Sequence, residues 1–217
     1  MRRARPAPPT PSARAGRGPS RCQRARPGGC GFTLVELMVV LAVLSILLVL
    51  AAPGFTSLVR NAQMASASHS FVASLNAARS EAMKRNLPAL VMPLEPGRRD
   101  WSRGFVAFVD MDRDGRYDAA TDLTVLAQAL DAPYLTIAGT GSVKANPAYV
   151  RYDGSGFAKK ADDSFNNLSI SISRNDVTGT EAFAQSRRIF ITRNGRLRIC
   201  TPASASDKRC EPLAGDS

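Results

Sequence analysis

Histidine is nearly missing from this 217-residue chain: His69 is the only one, alongside a single tryptophan and four cysteines. A Ser/His/Asp relay, a Cys/His pair or a histidine-based zinc centre needs imidazoles among suitable partners, and no such arrangement is present. His69 falls in an amphipathic helical pattern and reads as a surface or subunit-contact residue. There is no glycine-rich phosphate loop either, since Gly139-Thr140-Gly141 is a turn, and no internal repeat. The chain is therefore not expected to be an enzyme. Acid is lacking where base is densest. Residues 1–31 hold Arg2, Arg3, Arg5, Arg14, Arg17, Arg21, Arg24 and Arg26 and no Asp or Glu. The net charge of +11, which alone would suggest a nucleic-acid binder, is concentrated there; without those eight, 21 basic residues face 18 acidic ones, a net of +3. Global charge thus identifies no partner.

Residues 1–31 also have few apolar side chains, so they cannot bury a core and are expected to be disordered. The opposite holds from Phe32 to Ala52, 21 residues in which Glu36 is the only charge. A helix of that length rises about 30 Å, enough to cross a bilayer. A secretory signal would have a shorter apolar core with a small-residue cleavage site after it, whereas Gly31 stands immediately before the run. Arginine before the first membrane helix keeps that end cytoplasmic and sends the remainder outward, into an oxidising compartment. There Cys200 and Cys210 are expected to pair, with two free thiols as the alternative. A carboxylate in an apolar helix costs a few kcal/mol on insertion scales, so Glu36 marks a functional pairing.

The stretch Gly31-Phe32-Thr33-Leu34-Val35-Glu36-Leu37 resembles the processing motif of type IV prepilins and pseudopilins. The resemblance implies a membrane prepilin peptidase/N-methyltransferase that cuts after Gly31, N-methylates Phe32 and leaves Glu36 as the fifth mature residue. Residues 1–31, with Cys22 and Cys30, would be the discarded leader. It is longer than most pilin leaders, which leaves open an unusual leader or a start codon placed too far upstream. In parallel helices with an axial offset, Glu36 would meet the cationic α-amine of a neighbour's Phe32 and set the register. The plainer alternative is an ordinary single-pass anchor with an incidental glutamate.

Pro53-Gly54 removes a helical donor, after which the helix resumes. Met64, Phe71, Leu75, Ala78 and Ala82 form one stripe, opposite Asn61, Ser70, Arg79 and Lys84, and Asn86-Leu87-Pro88 ends the pattern. Short β-like runs follow over 89–92, 105–109, 123–127, 134–138, 149–152, 168–173, 188–193 and 196–200. The expectation is an α+β fold in which a long N-terminal helix packs on an antiparallel β-rich head. Its parts are a leader (1–31), a transmembrane half-helix (32–53), an amphipathic half-helix (54–87) and a head closed by a C-terminal disulfide loop (88–217). Ala78-Arg79-Ser80-Glu81-Ala82, Trp101 to Asp110, Tyr152-Asp153-Gly154-Ser155-Gly156 and Asn194-Gly195-Arg196-Leu197-Arg198 resemble segments of the GspH/FimT family of type IV prepilin-like proteins, in the family's order.

Two clusters are candidate binding sites. Asp110, Asp112 and Asp114, followed by Gly115 and by Asp118 at the ninth position, match the first half of a calcium loop; Thr121 stands at the twelfth, with Asp122 one residue late. The alternative is an Asx-rich hairpin turn. Arg187, Arg188, Arg193, Arg196 and Arg198 lie within twelve residues that include no acid, and would gather near an Asn194-Gly195 turn. The Gly195-Arg196-Leu197-Arg198 pattern resembles the arginine-rich C-terminal motif of DNA-binding competence pilins, and the alternative is a charged edge strand that discourages aggregation. The reading that follows is a FimT/FimU-like minor pilin of a type IV pilus, single-pass in the inner membrane with its head periplasmic. Its partners would be other pilins or pseudopilins, the peptidase and, through the arginines, DNA; calcium is the one candidate cofactor. A GspH-like minor pseudopilin of type II secretion and a single-pass periplasmic binding module are the alternatives.

Overall fold

The computed structural model describes residues 32–95 and 99–211, with backbone only at 51–53. The proposed leader, including Gly31, Cys22 and Cys30, lies outside the described residues. The chain divides into two compact units, one ending at Leu48 and one beginning at Val49. Helix α1 (Leu34–Arg85) contributes to both.

In the first unit the helix starts because Thr33 caps it: its Oγ1 accepts from the backbone N–H of Glu36 at 3.2 Å, the Thr-x-x-Glu spacing of a capping box. The side chains of residues 32–50 are all exposed, although nearly all are apolar. Among the described residues no single helix is long and apolar enough to cross a membrane; Leu34–Leu50 and Gly54–Arg85 meet the length and composition only as a pair.

In the second unit the rest of α1 has the amphipathic order read from the sequence. Met64, Phe71, Leu75, Ala78 and Ala82 are fully buried, and His69 is exposed. Ser68 and Ser74 are buried too; their hydroxyls donate back to the carbonyls of Met64 and Phe71, which satisfies them within the helix. Asn86 takes a left-handed conformation (φ 54°) and the Leu87 N–H donates to Ala82 O, so the helix stops before Pro88.

Two antiparallel sheets complete this unit. One contains β1 (Ala89–Pro93), β2 (Gly104–Val109), β3 (Leu123–Ala129), β5 (Val150–Tyr152) and β6 (Ala158–Lys159), in the order β3-β2-β1-β5-β6. The other contains β4 (Leu135–Gly139), β7 (Leu168–Arg174), β8 (Ser186–Ile191) and β9 (Leu197–Cys200), in the order β4-β7-β8-β9. The fold is therefore α+β, with the helix stripe and the inner faces of both sheets in one core. Phe71 stands edge-on to Trp101 and Phe105, with ring centroids 5.5 and 4.9 Å away, and each such side chain contributes about 2 to 3 kcal/mol by burial. The outer face of β1 and β2 is covered as well: Leu90, Met92, Val106 and Phe108 form a second cluster with Leu94, Tyr117 and Tyr149. Strand β6 and the short helix α2 (Glu181–Ala184) were not expected from the sequence, because two strand residues and one helical turn are too short to show a period.

Two arginines lock the helix to the sheets. Arg79, read from the sequence as part of the solvent face, is half-buried; its Nε donates to Gly156 O at 2.9 Å and its Nη2 to Asn194 O at 3.0 Å. Three segments far apart in the chain meet there: the helix, the 153–156 turn, and the turn between β8 and β9. Gly156 (φ 80°) and Gly195 (φ 75°) supply the left-handed backbone for both turns. Arg174 is 6 % exposed and forks onto both oxygens of Asp176, at 2.8 and 2.7 Å. Its Nη1 reaches Ser57 O on the helix at 3.0 Å and Gln185 Oε1 at 2.6 Å. Arg60 adds a further bond to Asp176, and together the guanidinium groups hold that carboxyl well below the usual carboxylate range.

The approach at Gly195 makes the clasp testable. A Cβ there would stand 2.1 Å from Gly156 O, a backbone atom, on a backbone conformation that side chains disfavour. Gly195→Ala is expected to cost about 2 kcal/mol or more in chemical denaturation, whereas Gly115→Ala, also at positive φ but with open space around it, is expected to cost only about 1 kcal/mol.

Candidate functional site

Phe32 and Glu36 stand on the exposed N-terminal end of α1. Thr33 occupies the backbone N–H of Glu36, and among the described residues the carboxylate has no ion-pair or hydrogen-bond partner. It is placed in the first turn, where unpaired N–H groups make the helix end partially positive. A carboxylate here complements that end and remains available to a cation from another molecule.

The five arginines read from the sequence separate into roles. Register pairs Ser171 with Arg188, Phe190 with Arg198, and Arg188 with Cys200. Cross-strand partners share a face, so Arg188, Phe190 and Arg198 lie together on one side of the β8–β9 hairpin. Thr192 N–H donates to Arg196 O across the turn, which extends that register and puts Arg196 on the same side. Arg187, one residue out of step, has the parity of the core-facing Ile189 and donates to the carbonyls of Ala184 and Ser186.

The disulfide between Cys200 and Cys210 accounts for two more (Cα–Cα 5.7 Å). It folds residues 200–210 back over the hairpin, with Cys210 buried. Arg188 Nη1 donates to Cys210 O at 3.1 Å, Arg198 Nη1 to Arg209 O at 2.9 Å, and Arg198 Nη2 to Glu211 O; the Arg198 guanidinium also lies 4.6 Å from the centroid of the Phe190 ring. These two side chains therefore hold the C-terminal loop. Arg193 and Arg196 sit at the turn, exposed, with side chains that have no partner among the described residues.

The acidic loop between β2 and β3 also rearranges the expected set. One carboxylate oxygen from each of Asp110, Asp112 and Asp122 lies within 4.8 Å of the other two. Asp114 and Asp118 are not in that group: Asp114 caps the Arg116 N–H and Asp118 caps the Ala120 N–H. Asp122, one residue beyond the position a calcium loop would use to close its shell, takes their place while its oxygens receive the N–H groups of Met111 and Asp118. Burial pushes the Asp110 carboxyl above its ordinary range, and the Asp122 charge adds to the push.

Sequence reasoning did not assign Arg79, Arg174 or Asp122 to a contact. A signal existed for Arg174: it continues the inward parity of Leu168, Ile170 and Ile172, and an arginine on an apolar face implies a buried partner. For Arg79 the only signal was its place in a family-like segment.

Comparison with known proteins adds the following. A family model described as Type II transport protein GspH matches residues 67–195, and a model of the prokaryotic N-terminal methylation motif matches residues 28–52. Two crystal structures of the type IV minor pilin FimU of Pseudomonas aeruginosa are similar. One has 18 % identity and a TM-score of 0.46, covering 68 % of this chain and 95 % of that one; the other has 19 % identity and a TM-score of 0.44, covering 67 % and 98 %. No curated protein sequence matches the chain.

Proposed function

This chain belongs to the GspH family and carries the N-terminal methylation motif, and from that premise we propose that it is a minor pilin of a type IV pilus, made as a membrane-inserted precursor and cleaved after Gly31. The observation that carries the proposal is the first unit: an apolar helix end whose side chains are all exposed, with one carboxylate, Glu36, near the residue that cleavage would turn into an amine. In the precursor the helix lies in the inner membrane, the arginine-rich end is cytoplasmic and the head is periplasmic. In the filament the same side chains pack against neighbouring helices, so apolar surface passes from lipid to protein without meeting water. Glu36 pairs with a neighbour's Phe32 amine and selects one axial offset.

The description of the matching family model favours a second setting, the pseudopilus of type II secretion. A deletion strain that keeps its pili and loses protein secretion would assign the chain there, and the opposite pattern would assign it to the pilus.

Arg193 and Arg196, exposed and with side chains unpartnered among the described residues, support weak DNA binding by the filament, with the other three arginines adding field. Such contacts go to phosphate and are independent of sequence.

Two outcomes test these readings. Glu36→Ala is expected to be inserted and processed normally while its amount in sheared filaments falls about tenfold or more, since a lost charge pair of about 1.4 kcal/mol already changes an equilibrium tenfold; incorporation at the unmutated level would remove the register contact. For DNA, the processed chain in detergent, without the eight leader arginines, is expected to bind duplexes of unrelated sequence equally, and Arg193→Ala with Arg196→Ala to lower the slope of log K against log salt by about 2. An unchanged slope and affinity would reject the arginine contact.

A further inference from the structure

Turn formation explains only half of the Asp110 carboxylate in the β2–β3 loop. Asp112, Asp114 and Asp118 each accept an N–H two residues ahead, the ordinary use of aspartate in a turn. Asp110 is 2 % exposed at the end of β2, and its Oδ2 accepts from Gly115 N–H at 3.0 Å. Its Oδ1 is buried and has no hydrogen-bond partner among the described residues. A buried carboxylate oxygen without a donor costs several kcal/mol, and proteins rarely leave one so. Two further carboxylates, Asp112 and Asp122, bring an oxygen within 4.8 Å of one from Asp110. Three like charges drawn together repel unless a cation lies between them.

We propose that Asp110, Asp112 and Asp122 bind a calcium ion at the root of the β2–β3 hairpin, with loop carbonyls and water completing its shell. The donors are all hard oxygens, which suits calcium. Residues 110–122 contain five aspartates against Arg113 and Arg116, so the loop keeps a net negative charge of three. Asp122 joins the end of the loop to its beginning, and an ion there ties both strands of the hairpin to one point. The inference is independent of whether the chain serves a pilus or a pseudopilus.

The processed full chain in detergent tests it, with calcium chloride added while thermal unfolding is followed. The melting temperature is expected to rise saturably, with an apparent dissociation constant of roughly 10⁻⁴ to 10⁻³ M, the range of extracellular calcium modules. Magnesium chloride at equal ionic strength is expected to do much less, since magnesium dehydrates reluctantly. Asp112→Asn with Asp122→Asn, which leaves the buried Asp110 in place, is expected to weaken the response about tenfold or more. Asp114→Asn with Asp118→Asn, equal in charge removed, is expected to weaken it less than about threefold, because those residues contribute only field. No rise at about 10 mM calcium, an equal rise with magnesium, or equal losses in the two double variants would each overturn the site.

Discussion

The fold depends on a helix whose two halves have opposite surroundings. From Phe32 to Leu50 its apolar side chains are exposed, and from Met64 to Ala82 an apolar stripe is buried under two sheets. Water does not tolerate the first arrangement, since apolar surface costs about 25 cal/mol for each Å² left wet. Between its end turns a helix meets its backbone hydrogen bonds internally, so lipid or other helices can cover it there without further cost. The second half has its cover already. In the proposed role one element would pass from membrane to filament while the head it carries keeps its fold.

The head depends on that helix through charge as well as packing. Arg79 reaches two turn carbonyls from one face of α1, and Arg174 reaches the helix from the end of β7. Guanidinium groups suit such places because they present several donors in a fixed plane and stay charged when desolvated. The same property changes how the basic C-terminal region is understood. Arg188 and Arg198 fasten the disulfide loop to the hairpin, so part of the arginine abundance there reflects construction. The proposed DNA contact therefore rests on the exposed pair at the turn, Arg193 and Arg196.

Much of this was legible before any coordinates, for physical reasons. The stripe from Met64 to Ala82 follows the helical period, and all strands longer than two residues announced themselves by short apolar runs between turn residues. The Gly31–Leu37 motif is local, so it could be read entire, although Gly31 itself lies outside the described residues. Long-range pairings were not legible. Arg79 looks solvated when only its helix is considered, because the carbonyls it serves come from residues 77 and 115 positions away. Asp122 looks like a misplaced ligand until the hairpin closes and brings it beside Asp110. The arginine cluster was visible as composition, yet its division between structure and surface depended on strand parity and on where the disulfide turns the C-terminus.

In the proposed function the mature protein begins at Phe32 and works inside a filament. Mass spectrometry of the chain recovered from sheared filaments tests it most directly, because it reads processing and incorporation in one sample. The expected N-terminal peptide starts at Phe32 with one added methyl group and lacks all eight leader arginines. A chain found only in the membrane fraction with residues 1–31 still attached would contradict it.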